Sequence, residues 1–508
     1  MKRMLALLLS LCFLLSACAT AQPGGGETAG GKQEGTEVKD DTKTPETTPD
    51  QGGTPAVPDT QAEKLALRVA ALPQIPAAPD EAALWEAMAK LDSSDRQKYQ
   101  EEQQKLWDAY DAQWSAYREA IFRLRGEGVD AALVPALTAY SAKTAQGLLT
   151  DRGVNDGFRK NVVFSPANLY LALCMLCETV DGESRAQLLE LLGLADAAQA
   201  RSAANSLFRA LYNESATGKT LLANSIWMNE NVTYHQDTID TLADDYFAST
   251  FRGPMGTKEI DAAIAAWIND NTGHLLEDAA SALETDPMTV LMLISTLYFK
   301  SNWVDEFPKH LTQEDVFTTA LGEEQKIDFM HAKRSGSFLV GEGWKMASLG
   351  FRDGMSMRIL LPDDRGGLDA LLSDAEVFRT FLTDGGEKTY GDVIWSVPKF
   401  DVQSDLELTP LLKWAGVTDV FDDNRADFSP LTDLALPMAV SQVEHAARIK
   451  VDEEGCEAAA FTAIDVKATA AMPMEKPTIE MELDHPFALL ITGTDGLPLF
   501  MATVYTMK

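Results

Sequence analysis

From about Asp130 to the C-terminus, two kinds of hydrophobic period succeed one another without a regular beat, and that irregularity bounds the fold. Residues 289–300, 356–361, 393–402, 440–451 and 497–505 read as strands. Residues 134–149, 168–180 and 184–192 carry the three-and-four spacing of helices instead. Strands do not follow helices one for one, so a doubly wound parallel sheet does not fit. The expected class is α+β with sizeable sheets. No internal repeat is visible.

The chain has 508 residues, enough to bury a large core, and its stability must come from that core. Five cysteines (Cys12, Cys18, Cys174, Cys177 and Cys456) include two in a leader. The three left are too few for a disulfide framework. Lys plus Arg number 43 against 77 Asp plus Glu, a formal charge of −34. Such a surface repels phosphate backbones and anionic lipid, so nucleic-acid binding is excluded and cationic partners are favoured.

Residues 1–17 read as a signal peptide, with Lys2 and Arg3 before an apolar stretch too short to span a bilayer. The stretch ends in Leu15-Ser16-Ala17-Cys18, which resembles the lipobox of bacterial lipoproteins and implies acylation at Cys18. An ordinary secretory leader ending near a cysteine is the other reading. Either way the expected location is extracytoplasmic, anchored to a membrane or the cell surface by lipid only, or released. Residues 18–60 are rich in Gly, Thr, Pro, Glu, Asp and Lys and are expected to be a disordered tether. Such a tether has an r.m.s. reach of roughly 35–40 Å.

Residues 61–130 read as a helical N-terminal extension ahead of a domain over 131–508. Trp107, Tyr110, Trp114, Tyr117, Ile121 and Leu124 fall on one helix face. A stripe of this kind can be a carbohydrate or partner surface. It is more commonly the inner face of a packed helix, and that is the reading favoured here.

No Gly-rich phosphate loop follows a strand, no His/Cys cluster has metal-ligand spacing, and no nucleophile stands in an elbow motif. Cys174 and Cys177 have redox-motif spacing, but they lie in the apolar run from Leu169 and read as small residues of a buried helix. Neither an enzyme nor any cofactor or metal is expected.

Several segments, in order, resemble the serpin family. They are Asn161-Val-Val-Phe-Ser-Pro with the run that follows it, Asp181-Gly-Glu-Ser-Arg, Leu297-Tyr-Phe-Lys-Ser-Asn-Trp303 and Val397-Pro-Lys-Phe400. Further on come Val440-Ser-Gln-Val-Glu-His445, Glu453-Glu-Gly-Cys-Glu-Ala-Ala-Ala460, Asp484-His-Pro-Phe487 and Pro498-Leu-Phe-Met501. The resemblance implies the serpin fold: a large mixed β-sheet, further sheets, surrounding helices and an exposed reactive loop. It implies a hinge at Glu453, Glu454, Gly455, Cys456, Glu457, Ala458, Ala459 and Ala460. It also implies a central shutter and breach at Ser165, Ser295, Trp303 and His445. Relatives usually carry Asn where Ser295 stands, Thr or Ser at Cys456, and a larger apolar residue at Ala488. The Ser295 change bears on how readily the main sheet opens.

The resemblance further implies that the loop, once cleaved, becomes a strand of the main sheet, and a strand buried on one face must alternate. From Cys456 one set is Cys456, Ala458, Ala460, Thr462, Ile464 and Val466, without a formal charge. Every charge falls in the other set, which holds Glu457, Asp465 and Lys467. Glu-Ala-Ala-Ala is also a good helix former, but helix preference does not explain β-branched Thr462, Ile464 and Val466 in period two. Counting along the loop as in inhibitory relatives puts the reactive bond at Thr469–Ala470, with Lys467–Ala468 and Met472 as rivals. Small residues there suit elastase- or subtilisin-like proteases; Lys467 would suit a trypsin-like one.

The expected function is irreversible inhibition of a serine protease through a covalent acyl complex, by a chain expected to be monomeric. The alternatives are a non-inhibitory serpin, acting as carrier or protease substrate, and a surface adhesion or solute-binding lipoprotein that uses the aromatic helix.

Overall fold

A computed structural model describes residues 61–456 and 476–507, apart from positions 74, 127, 150–158 and 216. The leader, Cys18, the tether, hinge positions Glu457–Ala460 and every candidate reactive-bond residue (Lys467, Ala468, Thr469, Ala470 and Met472) lie outside the described residues.

Two mixed sheets organise the domain. The eight-stranded sheet runs β1 (Ala66–Arg68), β5 (Ala248–Gly253), β4 (Gly218–Asn229), β6 (Leu291–Asn302), β14 (Gly455–Cys456), β13 (Glu444–Val451) and β12 (Phe400–Glu407). The short β3 (Asn213–Glu214) pairs with β4. The nine-stranded sheet runs β15 (Thr478–Glu482), β11 (Thr389–Pro398), β8 (Glu324–Gly341), β9 (Trp344–Gly350), β10 (Ser356–Pro362), β16 (Phe487–Thr492), β17 (Pro498–Val504) and β2 (Val162–Phe164). In that sheet β7 (Gln313–Thr318) pairs with β8. Among the described residues only β4–β5 and β11–β15 are parallel, so the α+β reading holds.

The helices on which the site depends are α1 (Gln61–Leu65), α2 (Glu81–Ala89), α3 (Ser93–Arg125), α4 (Val134–Leu149), α5 (Pro166–Thr179), α6 (Gly182–Leu192), α7 (Ala197–Leu211), α8 (Gln236–Asp245) and α9 (Lys258–Asn271). Helix α5 starts where it does because Ser165 caps it and Pro166 supplies a pre-set φ at its first turn. Nearly every residue of α5 is buried, including Cys174 and Cys177. Burial pushes both thiols up, Cys177 to about 12, so neither is a ready nucleophile.

A second apolar cluster lies where α9 crosses the eight-stranded sheet. Trp227 stacks on Phe251 at 4.0 Å, and Ile260, Ile264 and Trp267 of α9 cover them. The N-terminal extension joins this cluster through Ala62 and Leu65 of α1. The extension is helical over α1, α2 and α3, but residues 66–68 form a strand, antiparallel to β5 and covering that edge of the sheet. Arg68 pairs with Asp244 beside it.

Residues 393–402 read as one strand in the sequence, and the structure divides them. β11 ends at Pro398 in the nine-stranded sheet and β12 begins at Phe400 in the eight-stranded one. Val393, Trp395 and Val397 are buried on one phase, Phe400, Val402 and Ser404 on the other. The one-residue slip at Lys399 turns the chain from one sheet to the next.

Candidate functional site

The hinge begins as a tight turn after β13. The Asp452 carboxylate accepts from the Glu454 and Gly455 amides at 2.9 and 3.3 Å, and Asp452 donates its own N–H to the Gly455 carbonyl at 3.0 Å. This side-chain-to-backbone turn reverses the chain so that β14 runs back between β13 and β6. Its register is Cys456 with Val451 on one side, and Gly455 with Asn302 and Cys456 with Ser301 on the other, both antiparallel. Below this point β6 and β13 form no ladder with each other among the described residues.

Gly455 is required by close approach rather than by its φ. A Cβ there would lie 2.2 Å from the Ser301 carbonyl oxygen and 2.8 Å from the Asn302 Cα, both backbone atoms that cannot rotate away.

Glu453 is 7% exposed and held on both oxygens: Thr312 Oγ1 donates to Oε1 at 2.9 Å and Lys399 Nζ lies 3.0 Å from Oε2. Burial alone would raise its carboxyl. The hydrogen bonds from Lys399, its own backbone and Thr312 outweigh burial and keep it below its ordinary range. Its carbonyl accepts from the Phe307 amide at 2.8 Å. Glu454 pairs with Lys309 at 2.6 Å on the exposed side.

Trp303 is fully buried and secures the turn from the β6 side. Its backbone N–H donates to the Glu454 carbonyl at 2.9 Å, and its indole N–H to the Asp452 carbonyl at 3.0 Å. The ring stacks on Phe351 at 4.6 Å with planes 11° apart. Trp303 thus fixes the point at which a new strand starts between β6 and β13.

Lower in the sheet the structure brings Ser165 and His445 together. Ser165 Oγ donates to the Leu499 carbonyl at 2.7 Å and accepts from the Asn168 amide at 3.2 Å as the cap of α5. Its own N–H donates to His445 Nε2 at 3.0 Å. One serine therefore ties α5, β17 and β13. Because Nε2 accepts, the neutral ring carries its proton on Nδ1. Ser295 is not part of this knot. It lies on β6 opposite Asn224, and its buried hydroxyl has no hydrogen-bond partner among the described residues; neither does the Asn224 side-chain carbonyl.

Burial pushes the His445 imidazole down to about 4. Its ordinary value is 6.5, so the stability of keeping it neutral is fully present above that pH. It is lost as pH falls through about 4, at a cost of about 3 kcal/mol. The denaturant midpoint should therefore drop between pH 7 and pH 4, and His445→Gln should flatten that part of the profile. An unchanged slope in the variant would assign the acid sensitivity to other groups.

The anchors Thr312, Lys309 and Phe351 are not legible in advance, because each is brought to the hinge by sheet order from far along the chain, whereas Asp452 adjoins it in sequence. Lys399 left one trace, as the single charge within the apolar run from Val393 to Phe400.

Comparison with known proteins agrees with this geometry. A family model described as "Serpin (serine protease inhibitor)" matches residues 143–507. The chain is 29% identical to Serpin-ZX of Arabidopsis thaliana over 358 residues, 68% of this chain and 91% of that protein. It is also 29% identical to Serpin-Z1A of Triticum aestivum, covering 68% of this chain and 89% of that one. Among solved structures it resembles the native state of the thermophilic serpin tengpin, with TM-score 0.66 and 26% identity over 75% of this chain and 95% of that one. The native, stressed conformation of AtSerpin1 of Arabidopsis matches with TM-score 0.62 and 25% identity, over 75% of this chain and 99% of that one.

Proposed function

The chain belongs to the serpin family of serine protease inhibitors, and on that premise we propose that it is a suicide substrate that traps its protease by inserting its own loop into the eight-stranded sheet.

The observation that carries this reading is β14. Two residues of the hinge already stand between β6 and β13, antiparallel to both. Carried forward in the same register, Glu457 meets Lys300 and Lys450, and Ala458 meets Phe299 and Ile449. Ala460 then meets Leu297 and Ala447, and Thr462 meets Ser295 and His445. Val451, Ile449, Ala447 and His445 are the buried residues of β13. The uncharged set of the loop thus falls on the buried face, and Glu457 falls on the outer face between two lysines. Thr462 would bring a hydroxyl to Ser295, whose own is unsatisfied. Serpin loop insertion is itself a standing example of strand addition.

In this account the protease serine attacks the Thr469 carbonyl. An ester forms, and the Ala470 amine leaves with a proton. The freed strand then adds between β6 and β13 and carries the acylated protease with it before water can reach the ester. Insertion releases strain stored in the uncleaved state. The chain supplies the substrate and the trap; the catalytic residues are the protease's. The small residues around Thr469 favour elastase- and subtilisin-like targets. The test is an adduct of protease and inhibitor that survives denaturation.

The reading of residues 1–18 as a lipoprotein leader supports an activity outside the cytoplasm, on a tether acylated at Cys18. A Cys18→Ser chain should then leave the membrane fraction for the medium. Membrane retention of that variant would contradict the anchor.

A further inference from the structure

Helix α3 is seated on the body over its C-terminal part. Tyr117 is 5% exposed and donates its phenol to the Glu214 carbonyl at 3.0 Å; Ile121 and Leu124 pack against the main core. Arg125 lies near the Ala210 carbonyl, at 3.5 Å. With Arg125 beside residue 210 and Tyr117 beside residue 214, α3 runs antiparallel to α7 and continues past its end. At 1.5 Å per residue, the stretch from Tyr117 back to Ser93 carries it roughly 35 Å further. Near that far end, α2 returns against it, with the Leu84 carbonyl accepting from Tyr99 and Gln103 at 3.2 and 3.3 Å.

Between these two holds Trp107, Tyr110 and Trp114 occupy the same side as Tyr117. The four rings form an edge-to-face ladder with centroid spacings of 5.7, 6.1 and 5.4 Å. Trp107, Tyr110 and Trp114 join neither apolar core among the described residues. The stripe thus packs on the main core only from Tyr117 onward, and the three rings before it are half-buried. Beyond Tyr117 the helix continues past the end of the sheet at which the hinge lies. The turn that receives Tyr117 continues to Thr217, whose carbonyl accepts from the Asn302 amide at 3.1 Å, and to Gly218, opposite Ser301. Asn302 and Ser301 are the ladder partners of Gly455 and Cys456.

We propose that this projecting stripe is a docking surface for the target protease itself, a second contact beside the reactive loop. The proposal rests on the inhibitor reading above. Position favours that occupant, because the arm projects at the pole of the sheet where a protease engages the loop. Charge favours a cationic one: Glu101, Glu102, Asp108, Asp111 and Glu119 flank the ladder against Lys105 and Arg118, on a chain of net charge −34. Rigid aromatic rings give contact area at small ordering cost, as interface anchors do.

The full chain and a variant combining Trp107→Ala, Tyr110→Ala and Trp114→Ala are reacted with a strongly basic elastase and with an acidic subtilisin. Alanine preserves helix preference. The rate of covalent complex formation with the basic elastase should fall about tenfold in the variant. The rate with the acidic subtilisin, and the number of inhibitor molecules consumed per protease, should not change. Asp108→Lys with Asp111→Lys leaves both cores untouched, and it should remove most of the salt dependence with the basic elastase alone. Equal rates in wild type and both variants would overturn the proposal. So would faster reaction of the variant with both proteases, which would mean that the stripe covers the chain's own loop. A wild-type dimer that the aromatic variant dissolves would assign the face to a second copy and overturn it as well. If wild type traps neither protease, the inhibitor reading fails separately. Binding is then measured to the same elastase with its nucleophilic serine replaced by alanine. Weaker binding by the aromatic variant keeps the docking surface, and equal binding ends it.

Discussion

Ala458→Arg should convert the inhibitor into a plain substrate: the loop is still cleaved, and the covalent complex falls by about a hundredfold or more. On the proposed insertion, in the register that β14 sets, residue 458 would enter between Phe299 and Ile449, which are 5% and 2% exposed. An unpaired guanidinium there costs several kcal/mol of desolvation. On that proposal insertion and deacylation compete for the same acyl-enzyme, and each ~1.4 kcal/mol added to the insertion barrier is tenfold in rate. About 3 kcal/mol therefore accounts for the hundredfold. Glu457→Gln, one residue earlier on the outer face, should change the ratio of adduct to cleaved product less than about threefold, as a solvent-screened pair would. Quantifying that ratio on denaturing gels separates the two. Equal effects at 457 and 458 would show that the loop does not enter in this register.

Gly455→Val should expel the hinge from the sheet. The added Cβ would overlap the Ser301 carbonyl oxygen at 2.2 Å and press on the Asn302 Cα at 2.8 Å, so backbone must move. The Asp452 turn, the Trp303 indole bond and the β14 ladders share that geometry and should be lost together. A loss of about 3 kcal/mol or more is expected, in line with other backbone clashes at close approaches. Hydrogen exchange over residues 300–303 and 451–456 should lose its protection, and trapping should fall because the first step of insertion has no starting point. Protection equal to wild type would mean that the hinge's place between β6 and β13 does not depend on this contact.

The sequence made the local features readable, and the reason is physical. Helix α4 spans Val134–Leu149, as its apolar spacing indicates, because one face meets one core. Residue 165 is a serine before a proline and an apolar run, which is how a buried helix starts. Division of residues 393–402 between two sheets was also written in the residues. The buried phase shifts from Val397 to Phe400, but a reading of composition alone merges the two strands. What could not be read is which distant residues meet. Thr312, Lys309 and Lys399 reach Glu453 and Glu454 through the order of strands, which no local period encodes. The aromatic stripe shows the same limit: spacing tells which face of α3 is apolar, but not how far the body extends beneath it.

Covalent trapping through strand insertion leaves a product that one experiment detects. Purified residues 61–508 are mixed with elastase-, subtilisin- and trypsin-like proteases and run on denaturing gels, with mass spectrometry of the released C-terminal peptide. The account predicts a band at the summed mass of protease and inhibitor with the elastase- or subtilisin-like enzyme, and a peptide that begins at Ala470. A peptide beginning at Ala468 would move the bond to Lys467 and the target to a trypsin-like enzyme. Complete cleavage by every protease with no adduct would contradict the account and leave a serpin that serves as substrate or carrier.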